Sequence, residues 1–420
     1  MNYRDALNFV HSRLKFGSRP GLDNIRRITE LCGNPQRGMR FIHIAGTNGK
    51  GSISTMLSNI MIADGKKTGL FISPFVVDFR ERIQVNGEMI PKADFARIIT
   101  ELKPLVDQTD REGYCVTEFE LVTCAALMYY KEQNCDCVVL EVGMGGRLDA
   151  TNVIDKPLVS VIARIDLDHT AVLGDSAEKI AFEKCGIIKN GCPTVMYPDQ
   201  YDEVSATVRN ICKERNSNLI VPPTDFATEY NGVNGTKMTI SGVEITLPLI
   251  GVHQRLNAAT AVSAALCVGV PSDAVAKGIA ATRFAARMEL ISKKPTVILD
   301  GAHNPNGAKA LSDSLDILLN GKKAVAIMGI LADKDTDDVL RILSPNFSNI
   351  ITLTVPNPRT MTAAELKNKA KAFCPSVYSA RSYVEAITLA AEKANGAPIV
   401  VCGSLYLASA IRPKLLNFFK

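Results

Sequence analysis

The run Ala45-Gly46-Thr47-Asn48-Gly49-Lys50-Gly51-Ser52 joins a short apolar stretch to a helical pattern. Three glycines in such a turn let backbone N–H groups come close to an anion, and the N-terminus of the following helix adds a partial positive charge. Lys50 is placed to reach terminal phosphates, and Ser52 to assist a phosphate or a magnesium ion. The spacing departs from the common GxxxxGKS/T loop, because the position of its first glycine holds Ile44. An ordinary glycine-rich βα turn is the competing reading.

Further candidates follow other apolar runs. Glu141 ends one, ahead of the glycine-rich 142–149 segment. A carboxylate at the carboxyl end of a strand, beside a phosphate loop, is where a magnesium ligand belongs; a solvent-facing strand-end acid is the alternative. His169, in Asp166-Leu167-Asp168-His169-Thr170, reads either as a ligand or as a capping or core histidine. The chain holds five histidines, and His169, His253 and His303 all sit in polar runs after apolar segments. Lys184 lies in a helical pattern for which Asp175 and Glu178 offer a capping box; by pattern alone it is a solvated helix lysine. Gln254 and Asn257, three apart at a helix start, share a face and would read an adenine edge or cap the helix. The loop Asp300-Gly301-Ala302-His303-Asn304-Pro305-Asn306 suits a ligand, with Asn304 as a helix cap.

Positioning these residues requires alternating strands and helices. Apolar runs at 41–45, 67–72, 137–142 and 158–165 read as buried strands, and Ile53, Met56, Leu57, Ile60 and Met61 recur at helical spacing. The expected fold is α/β: an N-terminal P-loop-type domain with a mostly parallel sheet, over residues 1–292, and a smaller Rossmann-like α/β domain over 296–420. Alternation at 237–240 and 243–247 around Ser241-Gly242 predicts a hairpin in a small antiparallel insert. The second domain's strands are expected at 296–299, 324–328, 350–355 and 399–402.

Of 420 residues, 46% are hydrophobic and 22% charged, which speaks against disorder. The formal charge of +5 is spread along the chain, too weakly to argue for nucleic acid but compatible with anionic small ligands. Eleven cysteines without a CxxC pair suit a reduced cytoplasm better than a disulfide framework. Met1 to Ala6 lacks a basic head before an apolar core, so no secretory leader is expected, and no apolar run is long enough to span a membrane.

Taken together, these motifs resemble a known family. Gly46 to Ser52 looks like the phosphate loop of the Mur ligase superfamily. Ser73-Pro74, Glu81-Arg82-Ile83, the run from Glu141 to Asn152, Asp168-His169-Thr170, Glu183 to Lys189 and Asp300 to Pro305 resemble the folylpolyglutamate synthase/dihydrofolate synthase branch, and Gly403 to Leu407 also fits. The resemblance implies an ATP-dependent ligase that activates a folate γ-carboxylate as an acyl phosphate and joins it to L-glutamate, with dihydropteroate as a further acceptor. A Mur-type amide ligase for another carboxylate is the alternative.

Roles are implied residue by residue. Thr47, Asn48, Gly49, Lys50, Gly51 and Ser52 would cradle ATP phosphates. Ser73, Glu141 and His169 match magnesium ligands. Lys184 matches a carbamylated lysine, which reverses its bland reading and suggests two Mg2+ sites. Lys50, Glu141, His169 and Lys184 would form the catalytic set. Asn257, Arg287, Asp300 and His303 match ATP-contacting positions or lie beside them. Arg82, Thr117, Phe119, Leu148, Asp149 and Ala150 match the pteroyl side, while Asp333 and Ser404 match the side where glutamate docks. Two departures stand out: Ala285-Ala286 replaces the usual Pro-Gly before Arg287, and Phe75 replaces a histidine common after Ser73-Pro74. The implied partners are small molecules, with no nucleic acid and no membrane, for a monomer.

Overall fold

The computed structural model describes residues 1–17 and 20–419. Two compact units emerge, one comprising Met1–Ala227, Thr239–Ile245 and Leu256–Thr282, the other Thr228–Met238, Thr246–Arg255 and Arg283–Lys420.

The first unit is built on strands β1 (Phe41–Ala45), β2 (Thr68–Phe71), β3 (Ile83–Val85), β4 (Glu88–Met89), β5 (Cys137–Glu141), β6 (Val159–Ile162), β7 (Thr194–Met196) and β8 (Leu219–Ile220). They form one sheet in the order β4-β3-β2-β5-β1-β6-β7-β8. From β2 to β8 every pairing is parallel, and β3 and β4 add an antiparallel edge. Every residue of β1 and β5 is buried, as expected of strands with helices on both faces. One face packs on helices Tyr3–Ser12, Asp23–Leu31, Lys92–Arg111 and Glu118–Glu132 through Val10, Ile25, Phe95 and Leu121. Helix Lys50–Ala63 leaves the glycine-rich loop after β1 and is crossed by helix Ser272–Ala281, where Gly278 lies against the Ile60 backbone with no room for a side chain.

The predicted hairpin is present as β10 (Thr236–Ile240) and β11 (Val243–Leu247), joined by β9 (Thr228–Tyr230) in a three-stranded sheet. β10 and β11 alternate buried and exposed residues, the pattern of strands with one wet face.

The second unit carries β12 (Glu289–Lys293), β13 (Thr296–Leu299), β14 (Ala324–Met328), β15 (Phe347–Thr352), β16 (Val377–Ser379) and β17 (Ile399–Cys402), ordered β12-β13-β17-β14-β15-β16. All neighbours are parallel except β12 with β13. Four of the six were expected; β12 and β16 were not, since both include exposed residues and lack a fully apolar run. Among the described residues no helix is long and apolar enough to cross a membrane.

Candidate active site

The carboxyl ends of β1, β2, β5 and β6 gather the candidate residues of the first unit, the edge where open α/β sheets place their ligands. The loop after β1 is tied to the segment after β6. Thr47 and Asn48 N–H groups donate to the Arg164 carbonyl at 2.7 and 3.1 Å, and Asn48 Nδ2 donates to Asp166 Oδ2 at 2.9 Å. Thr47 Oγ donates to the Asp166 carbonyl at 3.0 Å. Thr47 and Asn48 therefore use their side chains to hold the loop's shape. Gly49 has φ +84°, and a Cβ there would lie 2.5 Å from Asn257 Oδ1. Asn257, buried at the start of helix Val252–Cys267, thus lies against the loop. Ser52 is buried in the first turn of helix Lys50–Ala63.

Lys50 Nζ donates to the Gly46 carbonyl at 2.9 Å and to that of Thr47 at 3.2 Å. Lys184 Nζ donates to the same Gly46 carbonyl at 2.8 Å. Lys184 is not a solvated helix lysine: it is 4% exposed, and burial, helped by the Lys50 charge, lowers its pKa to about 7. Gly146 allows this packing, because its Cα abuts the Lys184 backbone with no room for a Cβ. The helix that carries Lys184, Ala177–Cys185, is capped by Ser176 rather than by the expected Asp175–Glu178 box; Asp175 instead pairs with Lys179 at 2.8 Å.

Glu141 is 3% exposed, and its Oε2 accepts from the Ser73 N–H at 3.0 Å, which brings these two candidates together. His169 takes a left-handed turn (φ +50°), its side chain 55% exposed and its Nε2 3.7 Å from Asp168 Oδ2. Among the described residues, no three His, Cys, Asp or Glu side chains converge as a ready metal cage.

A further wall is formed by the start of helix Glu118–Glu132 and the 143–151 loop. Thr117 caps the helix in a capping box with Glu120. Phe119 lies over Gly143, where a Cβ would be 2.5 Å from the ring, and meets Phe71 edge-on at 5.8 Å. Asp149 is buried; its oxygens accept from Met144 N–H at 2.9 Å, Thr151 N–H at 3.0 Å and Thr151 Oγ at 2.5 Å. Burial raises the pKa values of Asp149 and Glu120. Ala150 is buried beside Asp149, and the Leu148 carbonyl accepts from Gly21 at 3.2 Å. Arg82 sits over the rings of Phe79 and Phe75 at 4.9 and 5.6 Å and 3.8 Å from Glu118. Phe75, the departure from the resemblance, is thus one of the rings under that guanidinium.

In the second unit, Asp300 follows β13 and is saturated by backbone: Oδ2 accepts from Met288 N–H and Oδ1 from Ala302 N–H, both at 2.7 Å. Arg287 Nη1 lies 3.3 Å from the Ala286 carbonyl, with its guanidinium over Phe284 at 5.6 Å. Ala286 takes φ +52°, the conformation a glycine would adopt there at no steric cost, so the departure at Ala285-Ala286 keeps the turn. His303 Nδ1 contacts the Gly301 carbonyl at 2.9 Å, and Asn304 caps the next helix as expected. Ser404 caps helix Leu405–Phe418. Asp333 is salt-bridged to Arg359 at 2.7 Å. Two structural anchors escaped the sequence reading. Asp166 holds the phosphate loop, and Glu289 holds the Arg287 turn by accepting from Ala286 N–H at 3.0 Å while pairing with Arg412 at 2.6 Å. Asp166, a strand-end acid in a run already chosen for His169, offered the only local signal of the two.

Residues 44–265 match the Mur ligase middle domain, and residues 286–405 the Mur ligase glutamate ligase domain. A folylpolyglutamate synthase of Lacticaseibacillus casei is 34% identical over 99% of both chains. The chain belongs to the folylpolyglutamate synthase/dihydrofolate synthase family of Mur ligases. A relative from Bacillus subtilis, named dihydrofolate synthase/folylpolyglutamate synthase, is 32% identical over 98% of this chain and 99% of its own. Among solved structures, the Mycobacterium tuberculosis folylpolyglutamate synthase complexed with ADP and AMPPCP superposes with a TM-score of 0.89 at 31% identity, covering 99% of both chains. An FPGS–AMPPCP–folate complex does so with a TM-score of 0.84 at 33% identity over 99% of this chain and all of the other. The Mur ligase middle and glutamate ligase domains thus match most of both parts of the chain.

Proposed function

We propose that this chain is an ATP-dependent ligase that adds L-glutamate to the γ-carboxylate of a reduced folate. The observation that carries the phosphate chemistry is the pair of lysines on the Gly46 carbonyl: two amines converge on one oxygen of a glycine-rich loop at a helix N-terminus, a site that an incoming anion would relieve. The folate class rests on likeness to folylpolyglutamate synthases over almost the whole chain.

A carboxylate oxygen is a poor leaving group, so the reaction begins with transfer of the ATP γ-phosphoryl to the folate carboxylate, leaving ADP and an acyl phosphate. The glutamate amine, as free base, attacks the acyl carbon; a proton leaves the nitrogen and orthophosphate departs. Lys50 and the loop N–H groups stabilise the charge on the transferring phosphoryl. The donor set fits magnesium: Glu141 is a buried carboxylate at a strand's carboxyl end, next to Ser73. Ser73 and Glu141 would hold one ion, and His169 with carbamylated Lys184 a second. Bound Mg2+ would neutralise phosphate charge. A buried amine whose pKa is lowered to about 7 has the neutral form needed to add CO2, which supports the carbamate. Asn257, Arg287, Asp300 and His303 are proposed to contact ATP. Arg82, Thr117, Phe119 and Leu148 to Ala150 are proposed to receive the pteroyl group, and Asp333 and Ser404 the incoming glutamate.

A second reading, in which dihydropteroate is also an acceptor, is favoured by the double name of the Bacillus subtilis relative. We take the working enzyme to be a cytoplasmic monomer; its eleven cysteines, all free thiols, support a reducing compartment. The deciding measurement is ADP release with ATP, magnesium and L-glutamate, offering tetrahydrofolate and dihydropteroate separately. Release with tetrahydrofolate supports the ligase, release with both supports the double activity, and release with neither returns the chain to a Mur-type ligase of another carboxylate.

A further inference from the structure

His43 occupies the middle of β1, flanked by Ile42 and Ile44, and is fully buried. An imidazole there, in an otherwise apolar strand, loses its hydration and gains one hydrogen bond: Nε2 lies 2.9 Å from Thr151 Oγ. Its Nδ1 is buried and finds no hydrogen-bond partner among the described residues. Thr151 Oγ in turn lies 2.5 Å from Asp149 Oδ1. The three groups form a line from the interior of the sheet to the loop that the proposed function gives to the pteroyl group.

The hydroxyl has one proton. Asp149 accepts from the Met144 and Thr151 N–H groups and from the Thr151 hydroxyl, so the hydroxyl proton goes to Asp149 and the oxygen must accept from His43. His43 then carries its proton on Nε2, and Nδ1 is the bare nitrogen, in agreement with its lack of a partner. Burial, with Lys189 nearby, pulls the imidazole pKa down to about 3, so the ring stays neutral at every working pH and adds no charge beside the substrate.

We infer that His43 and Thr151 are positioning residues for the pteroyl acceptor, acting through Asp149: the Nε2–H of His43 fixes the Thr151 hydroxyl, and the hydroxyl fixes the carboxylate and the 143–151 loop. This rests on the folate reading of the acceptor site. The Thr47, Asn48 and Lys50 side chains of the glycine-rich loop are held by other partners: Thr47 and Asn48 by Asp166, Lys50 by the loop's own carbonyls.

The test is steady-state kinetics of Thr151→Val and Thr151→Ser, with tetrahydrofolate and ATP varied in turn. Thr151→Val keeps the volume and removes the hydroxyl; its acceptor KM rises about tenfold or more while the ATP KM stays within about twofold. Thr151→Ser restores the hydroxyl and with it most of the acceptor affinity. Equal rises in both constants, or no rise in the acceptor KM, overturn the inference. A second measurement does not depend on any variant folding. Long-range 15N–1H spectra of the wild-type chain, with only five histidines to assign, show one buried ring protonated on Nε2; protonation of His43 on Nδ1 overturns the relay. Failure of the wild type to turn over with any pteroyl acceptor sinks the folate reading and this inference together, whereas normal wild-type turnover and an unmoved acceptor KM in Thr151→Val sink this one alone.

Discussion

Lys50 and Lys184 donate to one carbonyl oxygen, that of Gly46, from 2.9 and 2.8 Å. Burial is the main cause that lowers the Lys184 pKa to about 7, and the nearby Lys50 charge adds to it. A readily deprotonated amine on Lys184 thus shares its acceptor with Lys50 at the start of the next helix.

The first prediction concerns stability against pH. In the unfolded chain Lys184 titrates at an ordinary 10.5, and in the folded chain at about 7. Between those values the unfolded state binds the extra proton, so stability rises with pH across that window, and the cost of the buried charge is fully present below it. Lys184→Met removes the cost. In CO2-free buffer it stabilises the protein by roughly 2–4 kcal/mol near about pH 6, and the advantage shrinks as pH passes through about 7 to 10. Urea unfolding at a series of pH values reads this directly; a gain that does not change with pH contradicts it.

The same variant, and Lys184→Ala, lose ligation, and bicarbonate does not restore it, because the nitrogen that takes up CO2 is gone. Wild-type protein depleted of CO2 loses activity and regains it with bicarbonate, gaining the mass of one CO2 on Lys184. Full activity of Lys184→Ala would remove the carbamate from the account.

Lys50→Ala leaves the fold intact, since the Lys50 hydrogen bonds serve only its own loop. It lowers kcat for ATP-dependent ligation by about 100-fold or more, the scale for losing one charge-stabilising donor. Circular dichroism and ADP release together check both halves; an unchanged kcat refutes the phosphate-loop role.

The strand–loop–helix around Lys50 was legible because its signals are local: a buried apolar run, glycines, then helical spacing. Lys184 was not legible from pattern, because the pattern of one helix cannot show what packs on its lysine; only the resemblance pointed to it. Asp166 and Asn48 are 118 residues apart, and Arg412 and Glu289 123 apart, so neither pairing leaves a periodic trace. Strands β12 and β16 escaped for a related reason, since edge strands with exposed residues owe their form to a neighbour. The misplaced cap before Lys184 was a local error of one residue: the Ser176 hydroxyl, not Asp175, accepts from the Lys179 N–H.

Gly49→Ala meets two obstacles. Its φ of +84° disfavours any side chain, and the new methyl would stand 2.5 Å from Asn257 Oδ1. Either the loop or Asn257 must shift, and a displaced cradle loses its phosphate contacts. The ATP KM rises about tenfold or more while the acceptor KM changes little. Equal ATP KM values in variant and wild type would show that the turn tolerates a methyl.

Ala286→Gly acts in the opposite direction. At φ +52° an alanine bears a left-handed strain of roughly 1–2 kcal/mol, and glycine removes it at the cost of roughly 0.4–1 kcal/mol of extra freedom in the unfolded chain. The expected balance is a gain of about 0.5–1 kcal/mol, seen as a higher thermal midpoint with an unchanged ATP KM. A lowered midpoint would mean that the buried methyl matters more than the strain.

Asp300→Asn tests whether the Asp300 carboxylate serves the turn, the nucleotide or both. Both of its oxygens accept from backbone N–H groups, Met288 on one side and Ala302 on the other, at 2.7 Å. An amide offers one oxygen, so one buried N–H must face an NH2 group. The loss is about 1–3 kcal/mol, the cost of one unsatisfied buried donor with added repulsion between donors. Because Met288 flanks Arg287, the turn bearing Arg287 loosens too, and the ATP KM rises with the loss of stability. Unfolding and kinetics measured on the same preparation separate the alternatives: a raised KM with full stability assigns Asp300 to the nucleotide alone, and lost stability with an unchanged KM assigns it to the turn alone.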